Sequence, residues 1–159
     1  MDLYLIRHGD AAPAGPDGND LARPLTDLGH QQAKALAAAL VKHGVTFNAV
    51  ITSPLIRAAQ TTEHLIAALP EPHPPLHVFE EIGFEVRPKK IVSFLNSLPA
   101  KSVAIVGHQP GLSRFAGWLI GDKTLGLSLE KAGFARLDCS EWEKGTGTLV
   151  ELVTPTWYD

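Results

Sequence analysis

Cysteine is almost missing from this chain of 159 residues: Cys139 stands alone, so an internal disulfide is impossible and a zinc site of several thiolates is excluded by count. Long apolar stretches are missing too, and Met1-Asp2-Leu3-Tyr4 opens without a basic segment followed by an extended apolar one. A cytoplasmic protein without membrane contact is the expectation. Excess positive charge is also lacking. The formal net charge is -3 and no basic cluster exceeds the pair Lys89-Lys90, so no broad cationic field is offered to nucleic acid. What is present is ordinary for one globular core. A hydrophobic fraction of 45% over this length predicts a single domain spanning residues 1–159, with no internal repeat or low-complexity tract.

Against that background three segments share one layout. Leu3-Tyr4-Leu5-Ile6 leads into Arg7-His8-Gly9, Ala49-Val50-Ile51-Thr52 into Ser53-Pro54-Leu55-Ile56-Arg57, and Ser102-Val103-Ala104-Ile105-Val106 into Gly107-His108-Gln109-Pro110-Gly111. Each is a short apolar run rich in β-branched residues that ends in small or polar residues. After two of them a proline stands where a helix can begin. Such runs read as parallel strands covered on both faces, and in open α/β sheets the ligand crevice lies beyond the strands' carboxyl ends. Arg7, His8, Arg57 and His108 would then share one edge, faced by the positive ends of two helices. A histidine with one neutral ring nitrogen is a nucleophile for phosphorus, and guanidinium forks match phosphate oxygens at any pH near neutrality.

Together with Asp10-Ala11, Arg23-Pro24-Leu25-Thr26, Leu28-Gly29, Ala58 and Gln60-Thr61, these pieces resemble, in order, the histidine phosphatase superfamily of phosphoglycerate mutase-like fold. The likeness is strongest to its small phosphohistidine phosphatase branch, the SixA type, and runs from Met1 to about Gly121. The resemblance implies a three-layer α/β/α fold, a mostly parallel central sheet and no large lid insertion. It further implies a phosphohistidine intermediate on His8 and a phosphate pocket made by Arg7, Arg57 and His108. An arginine at the position of Arg23 approaches the phosphate in that branch. Family members commonly place an acid after the second helix, where Glu80-Glu81 falls, and the spacing from Ile82 and Gly83 favours Glu81.

The remaining elements follow from periodicity and punctuation. Thr26 is the expected N-cap of a first helix carrying Ala33, Leu36, Ala37, Leu40 and Val41 on one face and stopping at Gly44. A second is expected from residue 54 to about 69, broken by Pro70, Pro72, Pro74 and Pro75. A short strand is expected over 76–79, a third helix from Pro88, and a fourth from Pro110 to Gly121. Strands over 134–137 and 148–153 are expected as an antiparallel edge. Trp118, Trp142 and Trp157 read as core or rim packing. His30, His43, His64, His73 and His77 share no motif and read as surface or helix-end residues.

The chemistry these residues imply needs neither metal nor cofactor. His8 must present one bare nitrogen, so its other nitrogen should donate to a fixed acceptor, most simply a carbonyl of its own loop. Arg7, Arg57 and His108 would hold the oxygens as charge spreads over the trigonal phosphorus. The short segments around the site leave it open, which suits phosphate and a phosphohistidine protein, such as a histidine-containing phosphotransfer domain, as partners. Asp10 reads as a shaper of its loop. Two other functions fit the same residues: a small-molecule phosphomonoesterase, and a noncatalytic module that binds phosphorylated ligands.

Overall fold

Runs that are apolar on both faces can only lie at the centre of a sheet covered on both sides, and that is where β1 (Asp2–Arg7), β2 (Ala49–Thr52) and β4 (Ser102–Gly107) are found. The computed structural model describes residues 1–14, 16–83 and 85–158. Its sheet has six strands in the order β3-β2-β4-β1-β5-β6, with β3 (Leu76–Val78) on one edge and β5 (Phe134–Cys139) and β6 (Gly147–Val153) on the other side. β3, β2, β4 and β1 run parallel, while β5 and β6 pair antiparallel. The expected three-layer sheet with an antiparallel edge is the observed fold.

Alternation along each strand divides the core in two. Leu3, Leu5, Ile51, Val103 and Ile105 pack with Ile91 and Leu95 of α3 (Pro88–Ser97) and Phe115 and Leu119 of α4 (Gly111–Ile120). Tyr4, Ile6, Val50, Ala104 and Val106 pack with Leu36 and Leu40 of α1 (Asp27–Lys42) and Ala58 and Leu65 of α2 (Ile56–Ala68). Each fully buried Leu or Ile contributes about 2 kcal/mol of apolar transfer free energy, so both helix layers are firmly held. No helix among the described residues is long and apolar enough to cross a membrane.

What this arrangement does for the site is bring three chain segments to one edge. β4 lies between β1 and β2, with Arg7 opposite Gly107 and Thr52 opposite Val106, so the three strands end in register. Thr26 caps α1 by accepting the Gly29 N–H, as expected, and Gly121 ends α4 at φ 89°. Five expectations need correction. α2 opens at Ile56 rather than at Pro54, because Ser53 Oγ accepts the Leu55 N–H at 3.2 Å and holds residues 53–55 in a turn. β3 stops at Val78, one residue early, and β5 continues to Cys139 because its pairing with β1 reaches Asp138 and its pairing with β6 reaches Cys139. Trp142 is buried, but Trp157 is 79% exposed and belongs to neither core nor rim. His30 and His64 are not independent: Nδ1 of one lies 2.8 Å from Nε2 of the other across the packed α1 and α2.

Candidate active site

His8 leaves the end of β1 and turns inward, where only 7% of its surface stays exposed. Its Nδ1 lies 2.6 Å from the carbonyl oxygen of Gly9, which fixes the proton on that nitrogen. Nε2 therefore keeps its lone pair, and it accepts the Nε–H of Arg57 at 3.3 Å. The acceptor expected within the loop is thus Gly9. Burial, reinforced by the charges of Arg57 and Arg7 and opposed by the Gly9 bond, lowers the His8 pKa from 6.5 to about 4. The ring is neutral throughout the physiological range.

Arg57 and His108 complete the cluster from the neighbouring strands. Arg57 sits in the first turn of α2, almost fully buried, and its Nη1 donates to the Asp20 carbonyl at 3.0 Å. His108 follows β4, and its Nε2 lies 2.8 Å from Ser53 Oγ. Since Ser53 Oγ already accepts the Leu55 N–H, its own proton can go to His108 Nε2, which places the histidine's proton on Nδ1. Burial, then the neighbouring His8 and Arg57, lower the His108 pKa from 6.5 to about 3. Arg7 is steered by a bond from Nη1 to the Leu129 carbonyl at 3.0 Å. Among the described residues two buried side-chain nitrogens have no partner at all: Arg7 Nε and His108 Nδ1. Buried donors left unpaired cost about 1–3 kcal/mol each, and a site made for an anion is a place where that cost is tolerated.

Arg23 and Glu81 make no hydrogen bond to His8, Arg57 or His108 among the described residues. Arg23 donates from Nε to the Ala12 carbonyl at 2.6 Å and from Nη1 to Asp20 at 3.0 Å, and its charge is felt by both His8 and Arg57. Glu81 lies in the turn Glu80–Ile82 after β3, whose Ile82 packs on Gly107, and its carboxylate pairs with Lys90 at 3.2 Å. Asp10 accepts from Thr26 Oγ1 and pairs with Lys131 at 2.7 Å, contacts that shape the loop.

Sequence reasoning missed three participants. Asp20 sits on an exposed turn, and its carboxylate lies 3.7 Å from Arg57 Nη2 as well as against Arg23. Those two guanidinium partners, Arg23 first, hold its carboxyl below the usual range. Thr61 accepts the Gly9 N–H at 3.1 Å and donates to the Arg57 carbonyl, tying β1 to α2. Lys131 comes from a segment without any motif. Of these, only Thr61 carried a signal, as part of Gln60-Thr61.

The fold and the cluster define a class: an α/β protein in which a buried neutral imidazole faces guanidinium and N–H donors at the carboxyl edge of a parallel sheet. The sequence model of the histidine phosphatase superfamily (branch 1) matches residues 3–91. An uncharacterized protein of Picosynechococcus sp. is 37% identical over 141 residues, covering 86% of this chain and 84% of its own. The phosphohistidine phosphatase SixA of Escherichia coli is 28% identical over 130 residues, 77% of this chain and 73% of its own. A solved structure of the protein histidine phosphatase SixA complexed with tungstate superposes with a TM-score of 0.84 at 26% identity, over 98% of both chains. The chain belongs to the histidine phosphatase superfamily, is similar to its SixA-type branch, and is a phosphatase.

Proposed function

We propose that the protein removes phosphate from phosphohistidine on another protein, with no metal ion and with His8 as the nucleophile. The observation that carries this reading is the pairing of an unprotonated His8 Nε2 with two buried, unpartnered donors, Arg7 Nε and His108 Nδ1. A metal would stabilise charge on the phosphoryl oxygens, and here Arg7, Arg57 and His108 are placed to do so.

In the first step the Nε2 lone pair bonds to phosphorus while the bond from phosphorus to the leaving imidazole nitrogen breaks. That nitrogen takes up a proton, from Glu81 or from solvent. Arg7, Arg57 and Arg23 hold the equatorial oxygens, and the dianion favours a charged or donating His108. In the second step water attacks the same phosphorus, the bond to Nε2 breaks, and phosphate and one proton leave. SixA-type relatives support the substrate class by their names. So does the setting: a groove lined by Arg7, Gln32, Glu130, Lys131 and Thr154 opens beside the site, giving a polypeptide room to approach. We propose one domain over residues 1–159, and a histidine-containing phosphotransfer domain as the kind of partner.

Turnover of a phosphorylated phosphotransfer domain, a sugar phosphate and an aryl phosphate, each with a chelator present, tests the reading. The expected result is an acid-labile, base-stable phosphoenzyme, absent in His8→Ala, and the highest kcat/KM on the protein. Equal or better turnover of the small esters would assign the protein to small-molecule phosphomonoesterases. Failure to form any phosphoenzyme would leave a binding module.

A further inference from the structure

The segment that carries no motif, residues 129–133, is fastened to the turn at Arg7 and His8 through Leu129, Ala132 and Gly133. Arg7 N–H donates to the Gly133 carbonyl at 3.1 Å, Arg7 Nη1 donates to the Leu129 carbonyl at 3.0 Å, and the Ala132 N–H lies 3.1 Å from the carbonyl oxygens of both Arg7 and His8. To make that shared bond Ala132 adopts φ 54°, a left-handed conformation that residues with a Cβ seldom take. Glycine would adopt it freely, so something else must hold the alanine there. The carbonyl of Ala132 supplies the answer. It accepts the hydroxyl of Tyr158, which follows the turn Pro155–Trp157 after β6. The Tyr158 ring packs against the core beneath α1 and α2, and burial pushes its phenol pKa up, so it remains a donor.

From this we infer that Tyr158 is a positioning residue: through Ala132 it holds the backbone of Arg7 and His8 at the geometry that phosphoryl transfer needs. The inference rests on the reading of His8 as nucleophile and Arg7 as phosphate ligand. A 1 Å displacement of a reacting group can lower a rate a hundredfold, so a second support behind the catalytic turn acts on rate more than on folding. Its source is a part of the chain about 150 residues from His8 in sequence, beyond the family-model match over residues 3–91.

Tyr158→Phe removes the donor and keeps the ring. Rates of His8 phosphorylation are measured per phosphorylatable site, from the burst amplitude, so unfolded protein does not count. Inhibition by orthovanadate, which mimics the five-coordinate phosphorus, is measured alongside. We expect a loss of about fivefold in both, the scale of one buried hydrogen bond. In an Arg7→Lys background the same change should cost less in vanadate affinity than it does in the wild-type background, because one of the two groups being positioned is already lost. Trp157→Ala, in the same terminal turn but solvent-facing, should behave as wild type. An unaffected Tyr158→Phe enzyme, an equal loss with Arg7→Lys, or the same loss in Trp157→Ala would overturn the inference. A wild-type protein that forms no phosphoenzyme would instead count against the reading of His8 itself.

Discussion

The rings of His8 and His108 stand 5.1 Å apart, centroid to centroid, tilted by 54°. Two imidazoles this close and this buried cannot both carry charge cheaply, and the guanidinium of Arg57 beside them adds to the opposition. Their depressed basicity is therefore a joint property of the pocket. It has a consequence for folding as well as for catalysis.

Stability should fall as the pH drops below 6.5. Above that value both rings are neutral whether the chain is folded or not. Below it the unfolded rings take up protons, whereas the folded ones resist down to about 4 for His8 and about 3 for His108. The unfolded state then binds more protons, and folding loses roughly 2 kcal/mol per ring by pH 4.5 to 5. Urea unfolding at pH 7 and pH 4.5 should show this difference. Variants with Asn at position 8 or 108 should each show a smaller one.

Arg57→Lys should lower kcat/KM about a hundredfold. The native guanidinium donates to His8 Nε2 and to the Asp20 carbonyl from separate nitrogens, which a single ammonium at the end of a different stem cannot reproduce. Steady-state kinetics on the phosphorylated protein substrate would measure it. A loss confined to KM would contradict a role for Arg57 at the trigonal phosphorus.

Asp20 places a carboxylate against the guanidiniums of Arg23 and Arg57, the groups proposed to hold the phosphate. Asp20→Asn should therefore tighten inhibition by inorganic phosphate about threefold at low salt, with the gain shrinking as salt is added. Weaker phosphate inhibition would mean that Asp20 supports the two arginines more than it competes for them.

Gly29 bears on the site from behind. A Cβ built there would lie 2.0 Å from the Asp10 carbonyl oxygen, and one at Gly9 would lie 2.6 Å from the Gly29 carbonyl oxygen, so helix and catalytic loop meet backbone to backbone. Gly29→Ala should cost about 3 kcal/mol in denaturant unfolding and slow His8 phosphorylation as the loop is pushed aside. An alanine variant of wild-type stability would show that the contact yields easily.

The convergence of Arg7, His8, Arg57 and His108 was legible because each lies at or shortly after the end of an apolar run, and apolar runs of that kind end at one edge of a parallel sheet. Helix starts and stops followed from Thr26, Pro88, Gly44 and Gly121. The start of α2 did not, since the Ser53 hydroxyl organises a turn that no periodicity records. Asp20 was invisible for a similar reason: an exposed carboxylate in a short turn acquires meaning only from what folds over beside it. The support from Ala132 and Tyr158 left no trace because Ala132 contributes only backbone groups, whose partners any residue type can supply, and the Tyr158 hydroxyl meets its acceptor only once the turn after β6 is folded.

Because β4 lies between β1 and β2, the last of the three strands to be synthesised is the one that separates the first two. A nascent chain ending before Ser102 lacks His108 and has no strand to join β1 to β2. Convergence of the candidate site therefore arrives only after two-thirds of the chain has been made, and turnover serves as an assay for insertion of β4 between its two neighbours.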